Sequence, residues 1–301
     1  MWLTRAAMRI GAKLPNSGPP AMELGVPAMA VALERAGVDS VWVSDHVVLP
    51  RRIESWYPFA EDGRATWPTD SPYLEAMIAL ALAAAATERV RLGTAALVLP
   101  MRNPVMFAKQ AASIDHASGG RLELGVGAGW LEEEFAALGA PFARRGARLA
   151  EWIAIARSCW TGEPAAVASE DYWLPEGILC LPRPAHDIPL LVGGHAEVAL
   201  RRAGRIGDGW LGQQPCGALD AGELAAARAT MLAAAEAAGR DASSLRVVLR
   251  IVESTGRVEE VAAALPALAR AGVDEVIVDM RWDGGDLAAD IALLRAAAVA
   301  A

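Results

Sequence analysis

The run Val41-Trp42-Val43-Ser44 ends in Asp45-His46. An imidazole titrates near neutrality, so it can give or take a proton, and a neighbouring carboxylate can orient it or stabilise its charged form. The pair reads equally as an acid capping a loop with a histidine packed beside it, because Asp-His is a common dipeptide. Pro189-Leu190-Leu191-Val192-Gly193-Gly194-His195 is followed at once by a helical pattern. Glycines that feed a helix N-terminus present backbone N–H groups at the positive end of the helix dipole, which suits a phosphate. Gly125-Val126-Gly127-Ala128-Gly129-Trp130 would also let backbone N–H groups approach a ligand. Its spacing is GxGxG, not GxGxxG, and no acid closes a following strand about 20 residues on, so it is not a dinucleotide fingerprint. A tight strand-to-helix turn explains it as well. Gly93-Thr94-Ala95-Ala96 supplies small residues that would admit a planar ring or simply pack a core.

No HExxH, GxSxG or GxxxxGK[ST] pattern is present. His116 and His186 read as structural or loop histidines. Cys159, Cys180 and Cys216 are odd in number and widely spaced, which argues for a reducing cytoplasm and against a zinc site, so no metal is expected. A net charge of -8 without a compensating basic run disfavours nucleic acid. No apolar stretch reaches membrane-spanning length without a charge, and the N-terminus lacks the pattern of a secretory signal. A soluble cytoplasmic protein is the expectation.

These candidates must be carried by something, and the chain alternates. Short Val/Ile/Leu runs at Arg9–Leu14, Ser40–Ser44, Val90–Leu97, Leu122–Val126, Ile188–Val192, Gly209–Leu211, Arg246–Val252 and Glu275–Asp279 read as strands. Helical segments follow near Leu24–Ala36, Pro72–Ala86, Pro104–Ala117, Arg144–Trp160, Glu197–Ile206, Leu219–Ala238, Val258–Ala271 and Leu287–Ala300. Eight strand–helix pairs are what a closed parallel barrel requires, so the expected fold class is α/β, a (β/α)8 TIM barrel with insertion loops at its C-terminal face. The 301 residues fit one such domain, with residues 1–8 expected as a disordered extension. Two stretches interrupt the rhythm. Val47–Ser71 carries Trp56, Tyr57, Phe59 and Trp67, and Thr161–Asp187 is expected to hold a short hairpin. In a barrel both fall at the C-terminal mouth, where sites are built.

Taken together, the blocks Ser44-Asp45-His46, Thr87–Thr94, Leu99–Pro104, Ser118–Trp130, Arg145-Gly146, Val192–His195 and Ala203–Trp210 resemble the luciferase-like oxidoreductases, most closely their coenzyme F420 (deazaflavin) branch. Each block is weak alone; their order and spacing carry the resemblance, which covers roughly residues 9–212. It implies a cofactor across the C-terminal mouth, F420 or alternatively FMN. The phosphate would lie at Gly193, Gly194 and His195 and at the Gly127-Ala128-Gly129 turn, the ring near Asp45 and His46 and against Ala95 and Ala96, with Val192 and Thr94 also contacting the cofactor. It also implies a bulge with a non-proline cis peptide at Ala95–Ala96, and catalytic roles for His46 and Asp45 in hydride transfer, with Asp45 stabilising the charged imidazole. Trp130 stands where the sugar-phosphate dehydrogenases of the family carry an acid, which argues against that activity. Trp56, Trp67 and Trp130 are candidate contacts for an apolar small-molecule substrate. A homodimer is implied, and a reductase supplying reduced cofactor is a possible partner. The alternatives are an FMN-dependent monooxygenase and a flavin-binding protein without turnover.

Overall fold

The computed structural model describes residues 7–60, 62–65 and 67–299. Eight parallel strands close into a barrel in chain order: β1 (Arg9–Lys13), β2 (Ser40–Val43), β3 (Arg91–Val98), β4 (Leu122–Gly127), β7 (Leu190–Gly193), β8 (Gly209–Pro215), β9 (Arg246–Val252) and β10 (Glu275–Val278), which pairs back with β1. The α/β (β/α)8 barrel expected from the alternation is present. The hairpin expected before β7 is β5 (Val167–Ala168) against β6 (Trp173–Leu174). Its stretch, expected at the C-terminal mouth, instead connects the end of the helix Arg145–Trp160 to the N-terminal end of β7, so it does not leave a strand toward that rim. Of the expected N-terminal extension, residues 1–6 lie outside the described residues, and Met8 is buried in the core.

The surrounding helices are α1 (Gly18–Glu23), α2 (Val26–Ala36), α3 (Ala76–Ala86), α4 (Pro104–Ser118), α5 (Glu132–Ala137), α6 (Arg145–Trp160), α7 (Glu197–Ile206), α8 (Ala221–Ala237), α9 (Val258–Ala271) and α10 (Leu287–Val299). Pro104 takes the first turn of α4, where a missing N–H costs nothing, and Asn103 caps it through the N–H groups of Val105 and Met106. Pro72 does not begin a helix. Helix α3 starts four residues later, because the Glu75 carboxylate caps it by accepting from Ile78 N. Gly37 and Gly272 end α2 and α9 at φ 94°, a left-handed conformation that costs a glycine nothing.

Strand residues alternate in and out, and the outward set (Ile10, Ala12, Val41, Val43, Leu92, Leu124, Val126, Leu190, Val192, Val247, Leu249, Val276 and Val278) joins the helices in one continuous apolar core. Burial of each Val, Leu or Ile side chain in this set stabilises the fold by roughly 1.5–3 kcal/mol. Inside the barrel lies a second, smaller cluster of Trp42, Leu191, Leu211, Val248 and Ile277, with Ala95 and Ala96 against it. Trp42 fills the axis because its neighbours lack side chains: a Cβ at Gly93 would come within 2.3 Å of its ring, and one at Gly11 within 2.8 Å of its Nε1. Its indole N–H is satisfied by Ser40 Oγ at 2.7 Å and Glu275 Oε1 at 3.1 Å. Below the indole, at the N-terminal end of the strands, Glu123 and Glu275 are fully buried among Arg9, Arg91 and Arg246. Burial and the facing Glu275 push the Glu123 carboxyl well above the ordinary range, with Arg9 and Arg91 opposing.

Candidate functional site at the C-terminal mouth

All eight strands are parallel, so the loops that leave their C-terminal ends share one rim. Ser44, Asp45 and His46 leave β2, Ala95 and Ala96 lie in β3, Gly127 to Trp130 leave β4, and Gly193 to His195 leave β7. Strand β3 shifts register against β4 between Thr94 and Leu97, and the Ala95–Ala96 peptide is cis. The Thr94 hydroxyl is buried and donates to Gly125 O at 2.8 Å, so it ties β3 to β4 at this irregularity. Val192 points into the outer core and offers the mouth only its backbone.

Between these loops the floor carries no side chain larger than the Ala96 methyl. A Cβ on Gly127 would find Ala96 Cβ at 3.6 Å, and one on Gly193 would find nothing closer than Val126 O at 3.5 Å. Gly127, Ala96 and Gly193 therefore form a shelf that a planar ring can occupy, and a side chain at either glycine would fill it. Gly194 and Gly129 have φ of 123° and 83°, where a side chain would be strained, and a Cβ there would lie 2.8 Å from Ala199 Cβ or 2.5 Å from Val98 Cγ1. Helix α7 then begins without a side-chain cap on its first turn. Uncapped N–H groups beside flexible glycines make a fitting seat for an anionic tail. His195 is turned inward: its Nε2 accepts from Gln213 N at 3.0 Å, and burial lowers its pKa from the ordinary value while Glu223 opposes. Arg201, by contrast, pairs outward with Glu197 at the surface.

The predicted pairing of Asp45 with His46 does not occur. The Asp45 carboxylate is buried and gripped by Arg102, Nη1 and Nη2 each at 2.7 Å, and it accepts from Val98 N at 2.8 Å. Burial pushes the Asp45 carboxyl above the ordinary range; Arg102 and the Val98 N–H pull the other way. The acid that faces His46 is Glu134, whose Oε2 lies 2.9 Å from His46 Nδ1. Its Oε1 accepts from Val47 N at 2.6 Å and Val48 N at 3.2 Å. Glu133 does the same further along the loop, accepting from Glu54 N at 2.6 Å and from Ser55 N at 3.0 Å. The short helix α5, which the sequence reading missed, thus pins the start of the 47–71 loop.

That loop brings Tyr57 and Trp67 against the rim. Trp67 and Trp130 lie 6.3 Å from the His46 ring, and Tyr73 meets its edge at 5.6 Å. Tyr57 touches both Trp67 (4.9 Å) and Trp130 (5.0 Å), and Phe59 continues from Tyr57 to His195 at 5.7 Å. An unbroken row of aromatic rings therefore joins His46 to His195. Trp56 is the exception among the candidate substrate contacts: it is 66 % exposed, on the outside of the loop.

Sequence reading also missed Lys13, Gln213 and Arg250, at inward strand positions, and Asp279, directly after β10. Arg250 Nη2 binds Asp279 Oδ1 at 2.6 Å, and Lys13 Nζ donates to Asn16 Oδ1 at 3.1 Å. Burial and the nearby Arg250 lower the Lys13 pKa well below the ordinary lysine value. Beside them opens a cavity of about 500 Å³ lined by Lys13, Pro19, Leu24, Asp279, Arg281 and Trp282. The signal was available: each charge interrupts or directly follows an apolar strand, in step with its inward-facing neighbours Gly11, Val248 and Ile277.

Comparison with known proteins agrees with this architecture. An uncharacterized protein of Mycobacterium tuberculosis is 39% identical over 183 residues, 61% of this chain and 63% of that protein. The F420-dependent glucose-6-phosphate dehydrogenase of Amycolatopsis mediterranei is 35% identical over 186 residues, 60% of this chain and 51% of that enzyme. The match thus spans less than two thirds of the length of these relatives. Among solved structures, an F420-dependent secondary alcohol dehydrogenase in complex with an F420-acetone adduct superposes with a TM-score of 0.77 at 18% identity, covering 97% of this chain and 98% of that one. The monooxygenase RslO1 from Streptomyces bottropensis gives 0.72 at 20%, covering 97% and 99%. At such identities the likeness is one of fold. The luciferase-like monooxygenase model matches residues 9–298, nearly the whole chain, and the protein belongs to that family.

Proposed function

We propose that the protein is an oxidoreductase that uses coenzyme F420 to exchange a hydride with a small organic substrate at the C-terminal mouth. The observation that carries this reading is the shelf of Ala96, Gly127 and Gly193, which carries no side chain larger than a methyl, with an ionisable imidazole on one side and glycine N–H groups at an uncapped helix on the other. The F420-dependent relatives support the choice of deazaflavin over flavin.

Gly193, Gly194 and His195 would hold the cofactor's phosphate through backbone N–H groups, and Ala95, Ala96 and Gly127 would back its ring. Bound there, the deazaflavin would supply the hydride donor or acceptor. The chain's own part is threefold. His46 gives or takes the proton that accompanies hydride transfer to or from a substrate oxygen. Trp67, Tyr73 and Trp130 pack around the imidazole and exclude water from that proton. Lys13, Arg250 and Asp279 supply a charged cluster at the C-terminal ends of β1, β9 and β10. FMN is the second reading, since the family includes monooxygenases and the same shelf and phosphate seat would accept a flavin.

Titration of the protein with F420 and, separately, with FMN, followed by quenching of cofactor fluorescence, decides between them. Saturable F420 binding, with FMN at least about tenfold weaker, is expected; a tenfold ratio is about 1.4 kcal/mol. Tight FMN binding without F420 binding would overturn the proposal.

A further inference from the structure

His46 is held from behind by a single carboxylate. Glu134 is 1 % exposed, its Oε1 is engaged by two backbone N–H groups, and its Oε2 meets His46 Nδ1 at 2.9 Å. Asp45 cannot serve in its place, because Arg102 and Val98 N occupy its oxygens.

We propose that Glu134 is a positioning residue that fixes the His46 tautomer, so that Nε2 is the atom which exchanges the proton at the mouth. A carboxylate accepts hydrogen bonds and has none to give, so the nitrogen facing it carries the hydrogen. A neutral imidazole has one N–H. With that hydrogen on Nδ1, the lone pair is left on Nε2, which makes no hydrogen bond among the described residues. In the neutral ring Nε2 is the base; in the charged ring it is the acid. Rotation of the imidazole is opposed on three sides by Trp67, Tyr73 and Trp130. The carboxylate itself is immobilised by the first two N–H groups of the aromatic loop, so the seating of that loop and the orientation of the imidazole depend on one side chain. The proposal rests on the reading of His46 as the proton-exchanging group, and extends it to a named atom and the residue that selects it.

The test is nitrogen NMR of the full-length protein with 15N-labelled histidine, at a pH above about 8, where an ordinary imidazole is neutral. His46 is one of only four histidines, so its resonances are assigned by their loss in His46→Gln. The wild type is expected to carry its hydrogen on Nδ1. In Glu134→Gln the amide oxygen can still accept from Val47 and Val48 while its NH2 donates to Nδ1, so the hydrogen is expected to move to Nε2. Wild-type His46 protonated on Nε2 refutes the proposal without any variant, as does an unchanged tautomer in folded Glu134→Gln. Failure of the catalytic reading looks different: turnover would survive in His46→Ala while the tautomer still switched with Glu134→Gln.

Discussion

Asp45 and Arg102 form a closed, two-pronged ion pair behind the candidate proton-exchanging residue, with both guanidinium contacts at 2.7 Å and the carboxylate wholly buried. It anchors the end of β2 to the turn after β3, and Arg102 also reaches Glu75 at the cap of α3. Removing one partner leaves an uncompensated charge out of water. Arg102→Ala is expected to lower stability by about 3–5 kcal/mol, and Arg102→Ala with Asp45→Asn to recover part of that loss. Urea unfolding of the wild type, Arg102→Ala, Asp45→Asn and the double variant measures it; additive losses would show that the two residues act independently.

Substitution of His46 should separate chemistry from binding. His46→Ala is expected to lower turnover by roughly 10²–10⁴-fold, the range of general acid–base contributions, while F420 affinity changes only a few-fold. Stopped-flow reduction of bound F420, alongside the quenching titration, reads both quantities in one sample.

The shelf makes the reverse prediction. Gly193→Val places a side chain where the nearest atoms are 3.5 Å from a Cβ, so the fold accommodates it and the bound ring does not. F420 affinity should fall at least about tenfold, equivalent to 1.4 kcal/mol, with a near-native melting curve. A variant that binds the cofactor normally would place the ring elsewhere.

Lys13 carries a pH signature. Burial lowers its folded-state pKa below the value of 10.5 for an ordinary lysine, so between the two the unfolded chain binds more protons and stability rises with pH. Below the folded pKa the cost of burying the charge is present in full. Lys13→Met should therefore stabilise the protein at neutral pH by about 0.5–2 kcal/mol. The gain should shrink as pH climbs toward 10.5. Denaturation midpoints from pH 7 upward for both proteins give the comparison; a gain independent of pH would assign the effect to packing alone.

How much of this was legible beforehand differs by level. The barrel was readable because most strands are Val/Ile/Leu runs followed by a capped or glycine-terminated helix, and local pattern dictates both. The rim was readable for the same reason: in a parallel barrel the residue after each strand has one place to go. Pro72 misled because proline permits a helix start without requiring one, and the Glu75 cap three residues on decided it. The partner of His46 was illegible for a different reason. Glu134 lies 88 positions away in a row of three acids that reads as a solvated helix face, and sequence adjacency pointed to Asp45. Only the closure of the sheet brings α5 beneath the 47–71 loop.

Trp42 has a consequence for how such a barrel can change over time. One indole, admitted by Gly11 and Gly93, fills the tube midway between the buried glutamates of the lower end and the Lys13, Arg250 and Asp279 group of the upper end. The two halves are free to diverge separately: the lower can be tuned for durability and the upper retooled for new substrates, each with little effect on the other.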